Sequence, residues 1–440
     1  MKVLHIPFTY FPDPIGGTEV YVRDLIAGLC PLGVDAVVLA DSDRPRSYNH
    51  DGVRVRRIAL PRAANLRQQY GLPGPAVNAA LSDVIDAERP DLAHIHAPTW
   101  AATPGVVAQF HRRDIPVVFT YHSPLATCQR GTLMRWGTEI CDGRLDLDRC
   151  TACTLHAHGL PKTAARVVAR VPAAAAHRLG REGGPWTALR MRELMSIRLD
   201  SVRAFLREVD RIVVLSGWSH TLLLANGIAP ERMTLSRHGI ESGGDLPVRA
   251  PLSAPPPLRI AFLGRLDPVK GPDILVRALR LMPDAPIVLD LYGIAQEPGG
   301  GHYLAALRTL AAGDDRIRFL PPVPSDRVIP LLRGYHALAV PSRWLETGPL
   351  VVLEAFAAGI PILGMDRGGI GEIVTDERDG LLVAGEDPTL WASALKRLLS
   401  EPSLLARLGR EVRPPRSTGD VAADMMAVYS SLLAPAGVAR

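Results

Sequence analysis

The chain reads as an α/β protein of two Rossmann-like parallel-sheet domains, and three observations carry that reading. Its 440 residues exceed one ordinary core and suit two of roughly 150 to 250 residues each. Short β-branched or apolar runs alternate with helical patterns, the rhythm of a parallel sheet with crossover helices. The rhythm breaks at residues 246–258, LPVRAPLSAPPPL, whose prolines rule out a helix interior and favour an extended linker. One domain is therefore expected at 1–245 and a second at 259–416, with a last helix in 417–440, from about Val421 to Leu433.

In the first domain strands are expected at Val3–Ile6, Ala36–Leu39, Val53–Ile58, Leu92–His96, Val117–Thr120 and Ile212–Leu215. The opening MKVLHIPFTYFPDP is interrupted by His5 and Pro7 and lacks a small-residue cleavage site, so it is read as a strand rather than a signal segment. Gly16 and Gly17 follow that strand's loop and precede a helix beginning near Thr18. Small residues there let backbone N–H groups approach a phosphate. A tight turn with Thr18 as N-cap is the plainer alternative, and the spaced G-x-G-x-x-G of a dinucleotide site is missing. His94 and His96 alternate along one strand, so both leave the same face. His96, at the carboxyl end, is placed to reach a ligand and His94 to serve the core; no carboxylate at metal-ligand spacing accompanies them. His122 follows the strand VVFT, at the end where open parallel sheets bind ligands.

After the fifth strand comes an insertion, at about 124–160, in which Cys128, Cys141, Cys150 and Cys153 are crowded. In a reducing compartment this set, ending in C-x-x-C, reads as a structural zinc site that pins a long polar loop. Free thiols, disulfides and an iron–sulfur cluster are the alternatives. Cys30, in the first helix, reads as core. A helical stretch from Pro161 to Asp210 is rich in arginine, from Arg166 and Arg170 through Arg178 and Arg181 to Arg207. Such a face suits an anionic membrane surface, and an ordinary solvated helix explains it equally well.

The second series of strands is expected at Arg259–Leu263, Ile287–Tyr292, Ile317–Leu320, Ala337–Val340, Ile362–Gly364 and Leu381–Val383. Arg265 and Lys270 come directly after the strand that opens it. Arginine bridges two oxygens of a diphosphate and lysine neutralises a third. Lysine is otherwise rare, at Lys2, Lys162 and Lys396 only, which suits a compact ammonium chosen for phosphate. Farther on, RWLETGPLVVLEAFAAGIPIL spans Arg343–Leu363. Gly348 is expected to cap a helix whose first position is Pro349, and Gly359 and Pro361 end it. Glu346, in the loop, and Glu354, in the helix, then flank the amides of Gly348 to Leu350. That is a site for an anion between hydroxyl binders, which describes a nucleotide-sugar.

Composition sets the outer limits. A content of 47% hydrophobic and 22% charged residues supplies two cores and excludes extended disorder. The net charge of +5 is too small to argue for nucleic acid. No stretch reaches the roughly 18 uncharged apolar residues of a membrane span. A cytoplasmic protein is expected, peripheral at the inner membrane face if the arginine-rich stretch is used for contact.

GGTE at Gly16–Glu19, GRLDPVKG at Gly264–Gly271, the E-x7-E of Glu346 and Glu354, and DRGGIGEIV at Asp366–Val374 occur in that order. Together they resemble the family 4 retaining glycosyltransferases of the GT-B fold, over nearly the whole chain. The resemblance implies two domains facing across a cleft, the acceptor side first and the nucleotide-sugar side second, with the last helix crossing back to the first. It implies metal-independent transfer of a hexose-type unit from a nucleoside diphosphate sugar to a glycan, lipid-linked or small-molecule acceptor, by front-face displacement. Arg265 and Lys270 would stabilise the leaving diphosphate, Glu346 and His122 would meet the donor sugar, and Glu354 the ribose. Gly348, Pro349 and Leu350 would support the phosphates. Thr347 replaces a common aromatic residue and His238 a usual Asn, departures that bear on donor choice. A silent nucleotide-sugar-binding subunit and a GT-B epimerase are the rival readings.

Overall fold

The computed structural model describes residues 1–13, 16–60, 63, 65–71, 75–172, 183–241, 257–295 and 300–434. The expected linker lies outside these as far as residue 256, as do Arg178 and Arg181. Two compact units result, Met1–Arg237 with Gly419–Arg440, and His238–Thr418.

The first unit is built on β1 (Lys2–Ile6), β2 (Asp35–Ser42), β3 (Arg46–His50), β4 (Val53–Ala59), β5 (Leu92–Ile95), β6 (Val117–Tyr121), β9 (Arg211–Val214) and β10 (Met233–Leu235), with a separate hairpin of β7 (Met134–Arg135) and β8 (Glu139–Ile140). The main sheet has the order β10-β9-β6-β5-β1-β2-β4-β3. Its central strands are buried on both faces, which is why they read as unbroken apolar runs; β6, VVFTY, is buried throughout. Only the edge departs from parallel, since β3 pairs antiparallel with β4. The polar RSYNH of β3 carries no strand signal of its own and was not expected as a strand. The turn betrays it, because Asp51 and Gly52 between the two strands both have positive φ, the hairpin geometry that Asp-Gly favours.

Among the described residues the arginine-rich stretch holds two helices, Lys162–Val168 and Gly184–Glu208. Much of its charge is turned inward. Arg190 pairs with Glu193, Arg192 with Asp148, and Arg198 and Arg203 donate to the Leu125 and Leu145 carbonyls of the insertion. Among the described arginines of the expected basic face, Arg166, Arg170 and Arg207 are exposed. Cys30 is exposed, at the start of a short 3-10 turn after the first helix, and not core. The last helix, Thr418–Leu433, packs in the first unit, where Val421, Ala422, Met425, Val428 and Tyr429 join Val3, Leu92 and Val118 in one core.

The second unit holds β11 (Leu258–Leu263), β12 (Ile287–Tyr292), β13 (Ile317–Leu320), β14 (Ala337–Val340), β15 (Ile362–Met365) and β16 (Gly380–Val383). Their order, β13-β12-β11-β14-β15-β16, is the doubly wound arrangement in which β11 and β14 are neighbours and the crossovers diverge on either side. Loops leaving the carboxyl ends of those two strands flank a natural crevice. GRLDPVKG follows β11 and the RWLETGPL segment follows β14, so topology alone brings the two motifs together. Among the described residues no helix is long and apolar enough to cross a membrane.

Candidate active site

At the β11/β14 switch the two motif loops are locked to each other. Gly271, in the left-handed region at φ +70, caps the helix Pro272–Arg280, and a Cβ there would strike the Pro341 carbonyl. The Arg343 N–H donates to the Val269 carbonyl at 2.8 Å, and its guanidinium grips both oxygens of Asp273 at 2.8 Å. These contacts hold the loops so that Lys270 Nζ meets Glu346 Oε1 at 2.6 Å, where Ser342 Oγ also donates at 2.9 Å. Burial works to raise the Glu346 carboxyl, but the Lys270 charge and these hydrogen bonds outweigh it and hold the group below the ordinary carboxylate range. Glu346 is thus an ionised carboxylate in a nearly closed site, only 7% exposed.

Arg265 pairs with Asp267 at 3.3 Å and stands 6.0 Å from the centroid of the Trp344 ring, while Lys270 Nζ stands 5.4 Å from the same ring. Trp344 therefore draws both expected phosphate binders to one side of the loop, a role not assigned from sequence although the indole lies inside the motif. The glycine-rich string after β15 supports the same loop from behind. Gly369 N–H donates to the Glu346 carbonyl at 2.7 Å, and a Cβ at Gly369 would sit 2.7 Å from that oxygen.

The helix after this loop is Leu350–Ala357, one residue later than expected. Pro349 is its N-cap, not its first helical residue, because its ψ of 99° is extended although its φ of −71° is that of any proline. Gly348 thereby loses the capping role and gains another: a Cβ on it would lie 3.2 Å from the His238 ring. His238 is buried against the helix start, and burial pulls its imidazole down to about 4, so it is neutral there. Glu354, on the helix, is half-buried. The second unit thus carries Arg265, Lys270, Glu346, Gly348, Pro349, Leu350 and Glu354 on two interlocked loops and the helix that follows them, with His238, Ser342 and Trp344 packed among them.

The remaining expected residues belong to the first unit. The helix Gly17–Leu29 starts one residue before Thr18, so Thr18 is inside it and does not cap it. Gly16 is the N-cap, and its N–H donates to Glu19 Oε2 at 2.9 Å. The amide expected to meet phosphate is already satisfied by the chain's own buried carboxylate. His122 lies at the mouth of a histidine array: His96 Nδ1 is 3.3 Å from His122 Nε2, and His96 Nε2 is 3.0 Å from His5 Nδ1. His96, expected to reach a ligand, is fully buried, its ring among those of His5, Tyr21, His94 and His122. His94 bonds the hydroxyls of Tyr429 and Thr120 at 2.6 and 2.7 Å. Ligand atoms of His5, His94 and His96 lie within 4.8 Å of one another. Burial lowers all three imidazoles, His5 to about 3, and the trio includes no carboxylate to offset a dication. It is a hydrogen-bonded array of neutral rings, with His5 missed from sequence.

Cys128, Cys141, Cys150 and Cys153 line a single cavity in the insertion, as half-buried free thiols. Burial raises Cys141, Cys150 and Cys153, Cys150 up to about 11.

Comparison with known proteins bears on both units. The description "Glycosyltransferase Family 4" matches residues 15–242, and "Glycosyl transferases group 1" matches residues 249–413. A D-inositol 3-phosphate glycosyltransferase of Xylanimonas cellulosilytica is 28% identical over 412 residues, covering 88% of this chain and 93% of that one. Its counterpart from Nocardia farcinica is 38% identical over 189 residues, 41% of each chain. Among solved structures, sucrose-phosphate synthase from Thermosynechococcus elongatus superposes with a TM-score of 0.67 at 19% identity, over 98% of this chain and 99% of that one. The Anabaena protein HepE, solved with UDP-glucose, does so at 0.64 and 16% identity, over 98% of this chain and 100% of that one.

Proposed function

The chain belongs to the family 4 glycosyltransferases and is a glycosyltransferase of the GT-B fold, and from that premise we propose retaining transfer of a sugar from a nucleoside diphosphate donor to a hydroxyl acceptor. One observation carries the proposal: the 2.6 Å contact of Lys270 with buried Glu346, beside Arg265 and at the start of the helix Leu350–Ala357. As the bond from the anomeric carbon to the diphosphate breaks, its electron pair passes to a phosphate oxygen. Arg265, Lys270 and the helix-start amides oppose the charge that grows there. The acceptor oxygen bonds the anomeric carbon on the face being vacated, and its proton leaves on the departing phosphate. Glu346, ionised and fixed by Lys270, holds donor-sugar hydroxyls; Glu354 takes the ribose. The donor belongs to the second unit, and His122 and the acceptor to the first.

A uridine diphosphate sugar is the first donor to test, because HepE was solved with UDP-glucose. A glycan, a lipid-linked glycan or a small polyol phosphate is the acceptor class. Transfer needs no metal in this reading, and the four cysteines are assigned a structural zinc. Their thiols suit the reducing cytoplasm, and peripheral membrane contact would rest on Arg166, Arg170 and Arg207.

The test is release of nucleoside diphosphate from a panel of UDP-, GDP-, ADP- and TDP-sugars, with and without acceptors. One donor class should be turned over, and Arg265→Ala should slow it about 100-fold with little loss of donor affinity. Binding without release for every acceptor would establish the silent subunit instead, and sugar interconversion without transfer the epimerase.

A further inference from the structure

We infer that Cys128, Cys141, Cys150 and Cys153 bind one zinc ion as a tetrathiolate whose negative charge is balanced by a built shell of arginines, Arg130, Arg135 and Arg149. The inference rests on the structural-zinc assignment and is independent of the donor chemistry.

Four sulfurs from three separate places converge on one cavity. Cys128 follows the turn Pro124–Ala126, Cys141 follows β8, and Cys150 and Cys153 stand one turn apart on the helix Leu147–Ala157. Residues three apart share a helix face, so the helix pair points into the cavity together. One sulfur already receives a backbone N–H group, Trp136 donating to Cys153 Sγ at 3.5 Å. Gly143, two residues after Cys141, lies in the left-handed region at φ +71, where a Cβ would also collide with Leu222. A backbone N–H aimed at sulfur fits a thiolate better than a thiol.

The arginines point the same way. Arg130, Arg135 and Arg149 line the cavity, and the Nε of each is buried with no hydrogen-bond partner. One such orphan costs about 1 to 3 kcal/mol, and three around a single cavity call for an anion. Asp142 supplies part of it, but only to the other two guanidinium nitrogens of Arg149, at 2.5 and 3.0 Å. Four protonated thiols supply none. A divalent ion that displaces their protons leaves a centre with two net negative charges, which the three Nε groups can meet as N–H···S bonds. The sulfurs are not yet closed on a point, for among the described residues only the histidine trio brings three ligand atoms within 4.8 Å. Neutral thiols have no reason to approach one another, and the ion would draw them in.

Elemental analysis of the full chain, purified under reducing conditions, should find one zinc per molecule and no acid-labile sulfide. Cobalt substitution should give the intense thiolate charge-transfer and visible bands of a tetrahedral sulfur site. Cys150→Ser should lose stoichiometric zinc, and since that variant can also fail to fold, the arginine shell supplies the sharper test. Arg135→Gln and Arg130→Gln keep all four ligands and should still bind zinc, with affinity lowered about 10- to 100-fold against a competing chelator. Four free thiols without metal, or iron with labile sulfide, would overturn the zinc centre, and unchanged affinity in both arginine variants would overturn the charge-balancing shell. None of these readouts depends on sugar transfer, so failure here and failure of the donor proposal are told apart.

Discussion

At the scale of single residues, Lys270 and Glu346 are the tightly coupled pair of the candidate site, 2.6 Å apart. Because the Glu346 carboxyl is held below its ordinary range when folded, its contribution to stability is complete above the unfolded carboxylate value and is lost as pH falls through the folded value. Lys270→Gln removes the partner and leaves burial in charge, so the carboxyl should rise above its ordinary range, cost stability while ionised at neutral pH, and give that stability back as pH falls, the opposite slope to the parent. Thermal melts from pH 7 to 4 should show that reversal, with about 2 to 4 kcal/mol lost at neutral pH; superimposable pH profiles would mean the pair is not coupled in solution. The two carboxylates of the motif are separable. Glu354→Gln should chiefly raise the Michaelis constant for donor, and Glu346→Gln should cut turnover. A nucleoside diphosphate without sugar decides between them, since its affinity should fall with Glu354→Gln alone. Every residue of this set stands in a recognisable string. Ser342 stands outside the strings, and Trp344, although inside one, was given no role from sequence; each matters through what it touches.

At the scale of elements, close approach explains the glycines of the second unit. Gly369→Ala would force its methyl against the Glu346 carbonyl and displace the loop proposed to hold the donor; a displacement near 1 Å should cost about 100-fold in kcat with a nearly unchanged melt. A melt that falls in step with activity would mean that the loop supports the fold rather than the site. In the first unit, β1, β5 and the end of β6 present His5, His94, His96 and His122 to one another. Burial lowers the imidazoles of His5, His94 and His96, so the unfolded chain binds more protons than the native one between the folded value and the ordinary 6.5. Stability is then full above about pH 6.5 and falls below it, by up to about 1.4 kcal/mol per pH unit for each such ring. Urea midpoints at pH 7 and pH 5.5 measure this, and His94→Leu should flatten the slope. Periodicity identified the strands that carry these rings, but a polar edge strand such as β3 lacks periodicity and was visible only as an Asp-Gly turn.

At the scale of the whole molecule, the last helix is the longest-range commitment the chain makes. Met425 is fully buried in the first unit's core, and Tyr429 donates to or accepts from His94 at 2.6 Å. Met425→Ala should therefore cost about 2 to 4 kcal/mol in urea unfolding, and Tyr429→Phe about 1, although both lie within the last 16 residues of the chain. Values near zero for both would mean that the helix is not docked in solution. The amino-acid sequence by itself determined the fold class, the succession of strands and helices, and the loops in which the chemistry stands. Each of these follows from patterns within about 10 to 20 residues: strand and helix periods, glycine and proline punctuation, and short motifs. Only the tertiary structure decided that Lys270 neutralises Glu346 across 76 residues, that His5 meets His96 across 91, and that the Gly16 amide donates to Glu19. Such partners are chosen by which strands become neighbours and which side chains share the space between them, and no local pattern of residues records that choice.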